Sequence, residues 1–148
     1  MTSSGNPYLT VRDLTVSFQG KGGEFHAVDR IGFELDRGEI LALVGESGSG
    51  KSMTSLAVMR LLPQAARMSG RITIAGDDVA SLPRRQMEDV RGARIGMVFQ
   101  EPMTSLNPVL TIARQMTEGL IRHQGLSRKA ALAAARSALD DVGFGEPD

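Results

Sequence analysis

A short run in the first half of the chain combines glycines, one lysine and hydroxyl side chains, which are groups that bind phosphate. The run consists of Gly45-Glu46-Ser47-Gly48-Ser49-Gly50-Lys51-Ser52. It fits the pattern G-x-x-x-x-G-K-[ST] of the P-loop, in which backbone N–H groups surround a nucleotide phosphate. Glycine has no Cβ, so such a loop can turn tightly and approach an anion closely. We expect the Lys51 ammonium to lie on the β- and γ-phosphates and the Ser52 hydroxyl to bind Mg²⁺.

The segments on either side of this loop are predicted to hold it in place. Ile40–Val44 is a short apolar run, typical of a buried parallel strand. Met53–Leu62 carries apolar residues in a helical pattern and has no helix breaker before Pro63. A helix there would direct its unpaired N–H groups and the positive end of its dipole at the phosphates. This strand–loop–helix order favours a functional P-loop over a surface loop, so all eight loop residues are predicted to bind the nucleotide.

The bulk composition limits the classes of protein to which the chain can belong. It has 148 residues, 17 basic and 17 acidic side chains, and a formal net charge of zero. These values suit one globular domain and argue against a dedicated nucleic-acid binder, which carries a basic surface. The absence of cysteine excludes disulfides and cysteine-ligated zinc sites. Met1–Pro7 lacks the layout of a signal peptide, and no apolar run approaches the length of a membrane span, so we expect a soluble protein.

Two strands are predicted ahead of the loop. The first, Tyr8–Phe18, carries mostly alternating apolar residues. The second is the apolar-rich region Phe25–Leu35, and the glycine-rich Gln19–Glu24 between them indicates a turn. We expect these strands to form an antiparallel hairpin beside the P-loop strand. The elements predicted after the P-loop helix are a loop over Pro63–Ser69, a strand over Arg71–Ala75 and a short helix over Pro83–Val90.

The character of the sequence changes after Gln100, which ends a second buried-type strand predicted over Ile95–Phe99. The elements predicted beyond it are a loop over Glu101–Pro108, a helix over Leu110–Gln124, a C-cap at Gly125, an N-cap at Ser127 and a helix over Arg128–Val142. We therefore predict a β-rich part with the P-loop over residues 1–100 and the start of a helical subdomain over residues 101–148.

Three stretches carry a resemblance to a known family: Val44–Ser52, Gly92–Gln100 and Gln100–Pro108. The chain resembles the N-terminal half of an ABC-transporter ATPase subunit and is most similar to those of oligopeptide, dipeptide and nickel importers. The resemblance covers nearly the whole chain from Tyr8. It implies an α/β fold of the P-loop NTPase class, the ABC-type nucleotide-binding domain. The chain would hold the antiparallel β-subdomain, part of the P-loop core and the start of the helical subdomain.

The resemblance also implies roles for residues outside the P-loop. Phe18 matches the aromatic A-loop position, at which the ring stacks on the adenine of ATP. The alternatives are that Phe18 is a core residue, or that Phe25 takes the stacking role. Gln100 matches the Q-loop glutamine, whose amide oxygen reaches Mg²⁺ or the attacking water when the site closes. The alternative for Gln100 is an ordinary polar residue at the end of a strand.

Two protein partners are implied by the same resemblance. A coupling helix of a transmembrane permease subunit would occupy a groove formed after Gln100 and by the helices that follow, with Met103–Pro108 near it. A second ABC ATPase subunit would complete the ATP sandwich by facing this P-loop with its signature motif. The chain would then act as a peripheral protein on the cytoplasmic side of the plasma (inner) membrane.

Several motifs of the same family do not occur in this sequence. There is no Leu-Ser-Gly-Gly-Gln-like signature, no apolar strand ending in Asp-Glu as in Walker B, and no switch histidine after such a strand. We therefore expect a truncated subunit that does not hydrolyse ATP at a useful rate alone and that exposes apolar strand edges.

Two hypotheses about function stay open. The first is an ATP-binding subunit whose full-length parent energises the import of peptides or a similar solute. The second is a nucleotide-binding fragment without turnover that serves at most as an interaction module. A P-loop GTPase is disfavoured because the Asn-Lys-x-Asp motif is absent.

Overall fold

The computed structural model describes residues 7–100 and 106–145. Their regular elements are β1 (Leu9–Gly20), β2 (Gly23–Leu35), α1 (Lys51–Val58), β3 (Ala66–Ile74), β4 (Asp77–Asp78), α2 (Arg84–Ala93), α3 (Ile112–Gln124) and α4 (Arg128–Asp141). The chain divides into two compact units, Met1–Glu88 and Asp89–Asp148. The division lies within α2, whereas the sequence predicts a subdomain boundary at Gln100, and that boundary stays a prediction.

The first unit contains a four-stranded antiparallel sheet in the order β2-β1-β3-β4. β1 and β2 form the hairpin that the sequence predicts, with Leu9 opposite Leu35 at one end and Gly20 opposite Gly23 at the other. Alternating apolar residues along β1 put one of its faces into the core. The largest fully buried side chains of this unit are Val11, Leu14, Val16, Ile72, Ile74, Val79 and Met87.

The ladder between β1 and β2 is interrupted by a bulge near the turn. Ser17 lies opposite His26, but the preceding residue, Val16, lies opposite Val28. Ala27 is therefore an extra residue on β2 without a partner of its own on β1. A bulge of this kind bends its strand and re-aims the backbone groups of the extra residue.

The strand β3 begins earlier than the sequence predicts. Ala66–Ser69 was expected in a loop, but it pairs with Thr15–Phe18 of β1. The expectation of a loop is wrong because β1 is long enough to offer hydrogen-bonding groups to this segment as well. Gly70 has φ of 104°, and it sits where the β1–β3 register shifts between Arg12 and Thr15.

Two predicted buried strands are absent from the described residues. Ile40–Val44 has no regular structure, and its terminal residues Ile40 and Val44 are 94% and 89% exposed. Ile95–Phe99 forms one isolated bridge, from Ile95 to Arg91, and Val98 is 97% exposed. A buried parallel strand needs hydrogen-bonded neighbours at its edges, and no strand of residues 7–100 and 106–145 supplies one. Apolar side chains of both segments are exposed, but the apolar strand edges that the sequence predicts do not form there.

The second unit contains the helix pair α3 and α4, which pack against each other. Thr111 caps α3 by accepting a hydrogen bond from the Arg114 N–H at 3.3 Å, so the helix begins two residues after the predicted start at Leu110. Gly125 is its left-handed C-cap, with φ of 66°. Ser127 caps α4 by accepting from the Ala130 N–H at 3.2 Å. Both caps at the α3–α4 junction confirm the sequence prediction.

The sequence pattern predicts one apolar face on α4, with Leu132, Ala135, Leu139 and Val142, and this prediction is only partly correct. Ala135 is buried as expected, and Ala131 is buried with it. Leu132 and Val142, which were expected on the same face, are 38% and 70% exposed. The side chains buried on this helix are therefore small, and larger apolar groups remain at the surface.

Candidate nucleotide-binding loop

The residues of the predicted P-loop form an exposed turn that leads directly into α1. The Ser49 N–H donates to the Glu46 carbonyl at 3.2 Å and reverses the chain direction. Gly48 and Gly50 have φ of 83° and 89°, a left-handed conformation that glycine adopts without steric cost. The helix begins at Lys51, two residues before the predicted start, so Lys51 and Ser52 lie in its first turn.

The N-terminus of α1 is suited to an anion. Its first intrahelical hydrogen bond runs from the Thr54 N–H to the Gly50 carbonyl at 2.8 Å. The backbone N–H groups of the preceding residues of the first turn have no intrahelical acceptor. Gly50, the N-cap, makes no side-chain capping bond to them. These donors and the positive end of the helix dipole are the features by which helix N-termini hold phosphate.

The Lys51 ammonium is held over the loop by three acceptors. It donates to the carbonyl oxygens of Gly45 and Glu46, both at 2.6 Å, and to the Ser49 hydroxyl at 3.2 Å. An ammonium has three N–H bonds, so each of them has an acceptor within the loop. The cation is thereby held against the loop, and its role toward the β- and γ-phosphates stays a prediction.

The bulge in β2 contacts the loop at Gly50. A Cβ atom on Gly50 would collide with the Ala27 carbonyl oxygen and would lie 3.2 Å from Val28 Cγ2. The backbone of the hairpin therefore closes against the glycine that precedes Lys51. Sequence reasoning missed this contact, because it involves a main-chain oxygen and no side-chain pattern indicates it.

The helix behind the loop is anchored by its buried face. Thr54 is 3% exposed, and its hydroxyl donates to the Gly50 carbonyl at 3.0 Å. Ala57 and Val58 are buried on the same helix, which contacts β1 and β2. Ser52 points away from this face and is exposed, and no hydrogen bond of its hydroxyl is found among the described residues. The role of Ser52 as a Mg²⁺ ligand stays a prediction.

The predicted adenine-stacking residue lies at the end of the hairpin. Phe18 is half-buried and lies between Phe25 on β2 and Ala66 on β3. Phe25 is 64% exposed, so it offers the more accessible ring. Beside this pair the Ser17 hydroxyl donates to Glu24 Oε1 at 2.6 Å and lowers the pKa of that carboxyl. The stacking role of Phe18 and the alternative of Phe25 both stay predictions.

Gln100 belongs to the second unit, whereas the P-loop belongs to the first. Its backbone is irregular and the residue is exposed. Part of the family-like stretch after Gln100, Glu101–Ser105, lies outside the described residues. The role of Gln100 toward Mg²⁺ therefore stays a prediction. In the parts of the chain that the structure describes, no cluster of histidine and acidic side chains could hold a metal ion, and no helix is long and apolar enough to cross a membrane.

A comparison with known protein families identifies the family of this chain. Residues 28–147 match the profile of the family described as ABC transporter. The chain belongs to the ABC transporter family. The match includes the whole of the P-loop and both helices of the second unit.

Curated members of this family are similar to most of the chain. The oligopeptide transport ATP-binding protein OppD of Bacillus subtilis is 46% identical over 142 residues, which is 95% of this chain and 40% of OppD. The probable D,D-dipeptide transport ATP-binding protein DdpD of Escherichia coli is 44% identical over 138 residues, which is 92% of this chain and 42% of DdpD. The chain thus spans about 40% of the length of these relatives.

Solved structures show the same fold. The dimeric bacterial ABC transporter cassette MJ0796 superposes with a TM-score of 0.74 and 24% identity, over 89% of this chain and 56% of that chain. A second dimeric structure of MJ0796, in a post-hydrolysis state bound to ADP and Pi, gives the same TM-score. The antiparallel sheet and helices of this chain therefore have the fold of an ABC ATPase cassette, in agreement with the fold class that the sequence predicts.

Proposed function

We propose that this chain binds Mg²⁺-ATP through the Gly45–Ser52 loop and serves as the ATP-binding part of a transporter for peptides or a similar solute. The observation that carries the proposal is the Lys51 ammonium, held by three loop acceptors beside the uncapped N-terminus of α1. The similarity to the oligopeptide and dipeptide transport proteins supports the solute class.

Different groups of the loop bind different parts of Mg²⁺-ATP. The backbone N–H groups of the loop and of the first turn of α1 bind the phosphates, and Lys51 neutralises the β- and γ-phosphate charge. The exposed hydroxyl of Ser52 supplies one Mg²⁺ ligand, and the phosphates supply others. Phe18 stacks on the adenine, and Gln100 contributes to the metal or the attacking water in the assembled transporter.

A second candidate function is nucleotide binding without turnover. The specific observation in its favour is the sequence itself, which has neither the signature motif nor a strand ending in the Asp-Glu pair of Walker B. Phosphoryl transfer to water needs a group that positions the nucleophile, in addition to contacts to phosphate and Mg²⁺. On this alternative the chain binds the nucleotide without turnover and serves at most as an interaction module.

The partners we propose are a permease subunit and a second ATPase subunit on the cytoplasmic side of the membrane. A groove between α3 and α4, with a volume of about 710 Å³, offers a surface for the coupling helix of the permease. The apolar Ile121 and Leu132 line it together with the basic Arg114 and Arg128. The dimeric state of the MJ0796 cassette supports pairing with a second ATPase subunit.

A titration of ATP with Mg²⁺ against the purified chain, with phosphate release followed in the same samples, tests the proposal. We expect binding, with phosphate release at the background rate. Lys51→Ala should abolish binding because it removes the phosphate cation, whereas Lys129→Ala, on the exposed face of α4, should leave the affinity unchanged. Equal ATP affinity of Lys51→Ala and the parent chain would overturn the P-loop assignment. Phosphate release above background would overturn binding without turnover.

A further inference from the structure

Ser49 occupies a variable position of the P-loop pattern, but its hydroxyl lies at the centre of the loop. The Ser49 Oγ accepts a hydrogen bond from the Lys51 ammonium at 3.2 Å. The same oxygen lies close to Gly45 at the start of the loop: a Cβ atom added to Gly45 would be only 2.5 Å from it. The same hydroxyl therefore binds the lysine of the motif and occupies the space that a side chain at the first glycine would need.

The three acceptors of the lysine differ in kind. Two are backbone carbonyls, those of Gly45 and Glu46, and their positions follow from the path of the loop. The third is the Ser49 hydroxyl, so it is the acceptor that a change of side chain can remove while the backbone is retained. It accepts with one lone pair and can turn its own O–H toward another group.

We propose that Ser49 is a positioning residue whose hydroxyl fixes the Lys51 ammonium in the loop before a polyphosphate arrives. This inference rests on the nucleotide-binding role proposed above and adds a side-chain function within the same site. A lysine side chain has large rotamer entropy, which is lost when a ligand immobilises it. The hydrogen bond to Ser49 already restricts the ammonium to the loop, so less of this freedom is left to lose when phosphate oxygens replace the two carbonyl acceptors, and the affinity for β- and γ-phosphates is higher.

The variants that test this role are Ser49→Ala, which removes the hydroxyl, and Ser49→Thr, which keeps it. Ser69→Ala, an exposed serine of β3 in the same unit, is the matched control. With ATP and inorganic tripolyphosphate as probes, Ser49→Ala should lose about 2- to 10-fold in affinity, the range expected for one hydrogen bond. Ser49→Thr and Ser69→Ala should stay within about twofold of the parent chain, by the same scale.

A measurement without nucleotide separates this role from a general effect on the loop. The hydrogen exchange of the Lys51 ammonium with water, observed by NMR at its Nζ, should accelerate several-fold in Ser49→Ala and stay slow in Ser49→Thr. Unchanged ammonium exchange in Ser49→Ala, or equal polyphosphate affinity of Ser49→Ala and the parent chain, would overturn the role of Ser49. If the parent chain does not bind ATP, the proposed nucleotide-binding function is overturned. If ammonium exchange is nevertheless faster in Ser49→Ala than in the parent chain, the hydrogen bond between Ser49 and Lys51 is still established.

Discussion

Gly50 shows how one residue position can be set by two independent constraints. Its φ of 89° lies in the left-handed region, and the Ala27 carbonyl oxygen occupies the place of any Cβ. A side chain at this position would have to move the loop away from the hairpin and strain the backbone at the same time. The glycine is therefore required by the shape of the site as well as by the approach of a phosphate.

Gly50→Ala should abolish ATP binding and lower the free energy of unfolding by about 1–3 kcal/mol, because backbone strain and a collision act together. ATP titration and urea unfolding measure the two effects. Gly22→Ala is the matched control, since a Cβ on Gly22 in the hairpin turn meets no atom within 4 Å. It should change the free energy of unfolding by no more than about 0.5 kcal/mol. ATP affinity retained in Gly50→Ala would contradict the geometry of the loop.

Ser17→Ala should raise the pKa of Glu24 toward the ordinary value of a glutamate. The Ser17 hydroxyl is the largest cause of the lowered pKa, and nearby His26 adds to the effect. Because the folded chain binds this proton less readily than the unfolded chain, the stabilisation is present above the unfolded pKa and is lost as pH falls through the folded pKa. A carboxyl NMR titration of Glu24 measures the shift, and Ser69→Ala should leave it unchanged. An unshifted Glu24 in Ser17→Ala would show that the hydrogen bond does not form in solution.

At the scale of elements, the sequence patterns correctly predicted those features that depend on interactions between residues close together in the chain. The hairpin, the caps at Gly125 and Ser127, and the loop-to-helix order around Lys51 all depend on neighbours close in sequence. Ile40–Val44 and Ile95–Phe99 were predicted wrongly, because a strand forms only where another strand pairs with it. The site contacts that sequence reasoning missed, at Ala27 and at the Ser49 hydroxyl, depend on backbone path and distance.

Ser127→Ala should destabilise α4 by about 1 kcal/mol, because the side-chain oxygen that accepts from the Ala130 N–H is lost. Hydrogen exchange of the amides in the first turn of α4 measures this opening. Ser137→Ala, at an exposed position inside the same helix, should be neutral or slightly stabilising, since alanine has the higher helix propensity. Equal protection of the first turn in Ser127→Ala and Ser137→Ala would argue against the cap.

At the scale of the whole molecule, the exposed apolar side chains decide how the chain behaves in solution. Ile40, Val44 and Val98 are each exposed by 89% or more. Apolar runs that are exposed and unpaired favour association with other chains. The same residues add little to the stability of the chain, because burial is the source of hydrophobic stabilisation.

Ile40→Ser should raise the concentration at which the chain associates and change the free energy of unfolding by no more than about 0.5 kcal/mol. Ile72→Ser makes the same chemical change at a side chain that is 0% exposed, and it should cost about 3–5 kcal/mol. Light scattering against concentration and urea unfolding give the two readouts. A large loss of stability in Ile40→Ser would mean that Ile40–Val44 is covered in solution.

The bulge at Ala27 makes the length of β2 matter more than the identity of the residue there. Its carbonyl oxygen abuts Gly50, and a carbonyl is common to all amino acids, so substitutions at this position preserve the contact. Removal of one residue from β2 would erase the bulge, restore a regular ladder and withdraw the carbonyl from the loop. Mutational tolerance should therefore be asymmetric at this point of the chain: most replacements are accepted, and a single-codon deletion is not.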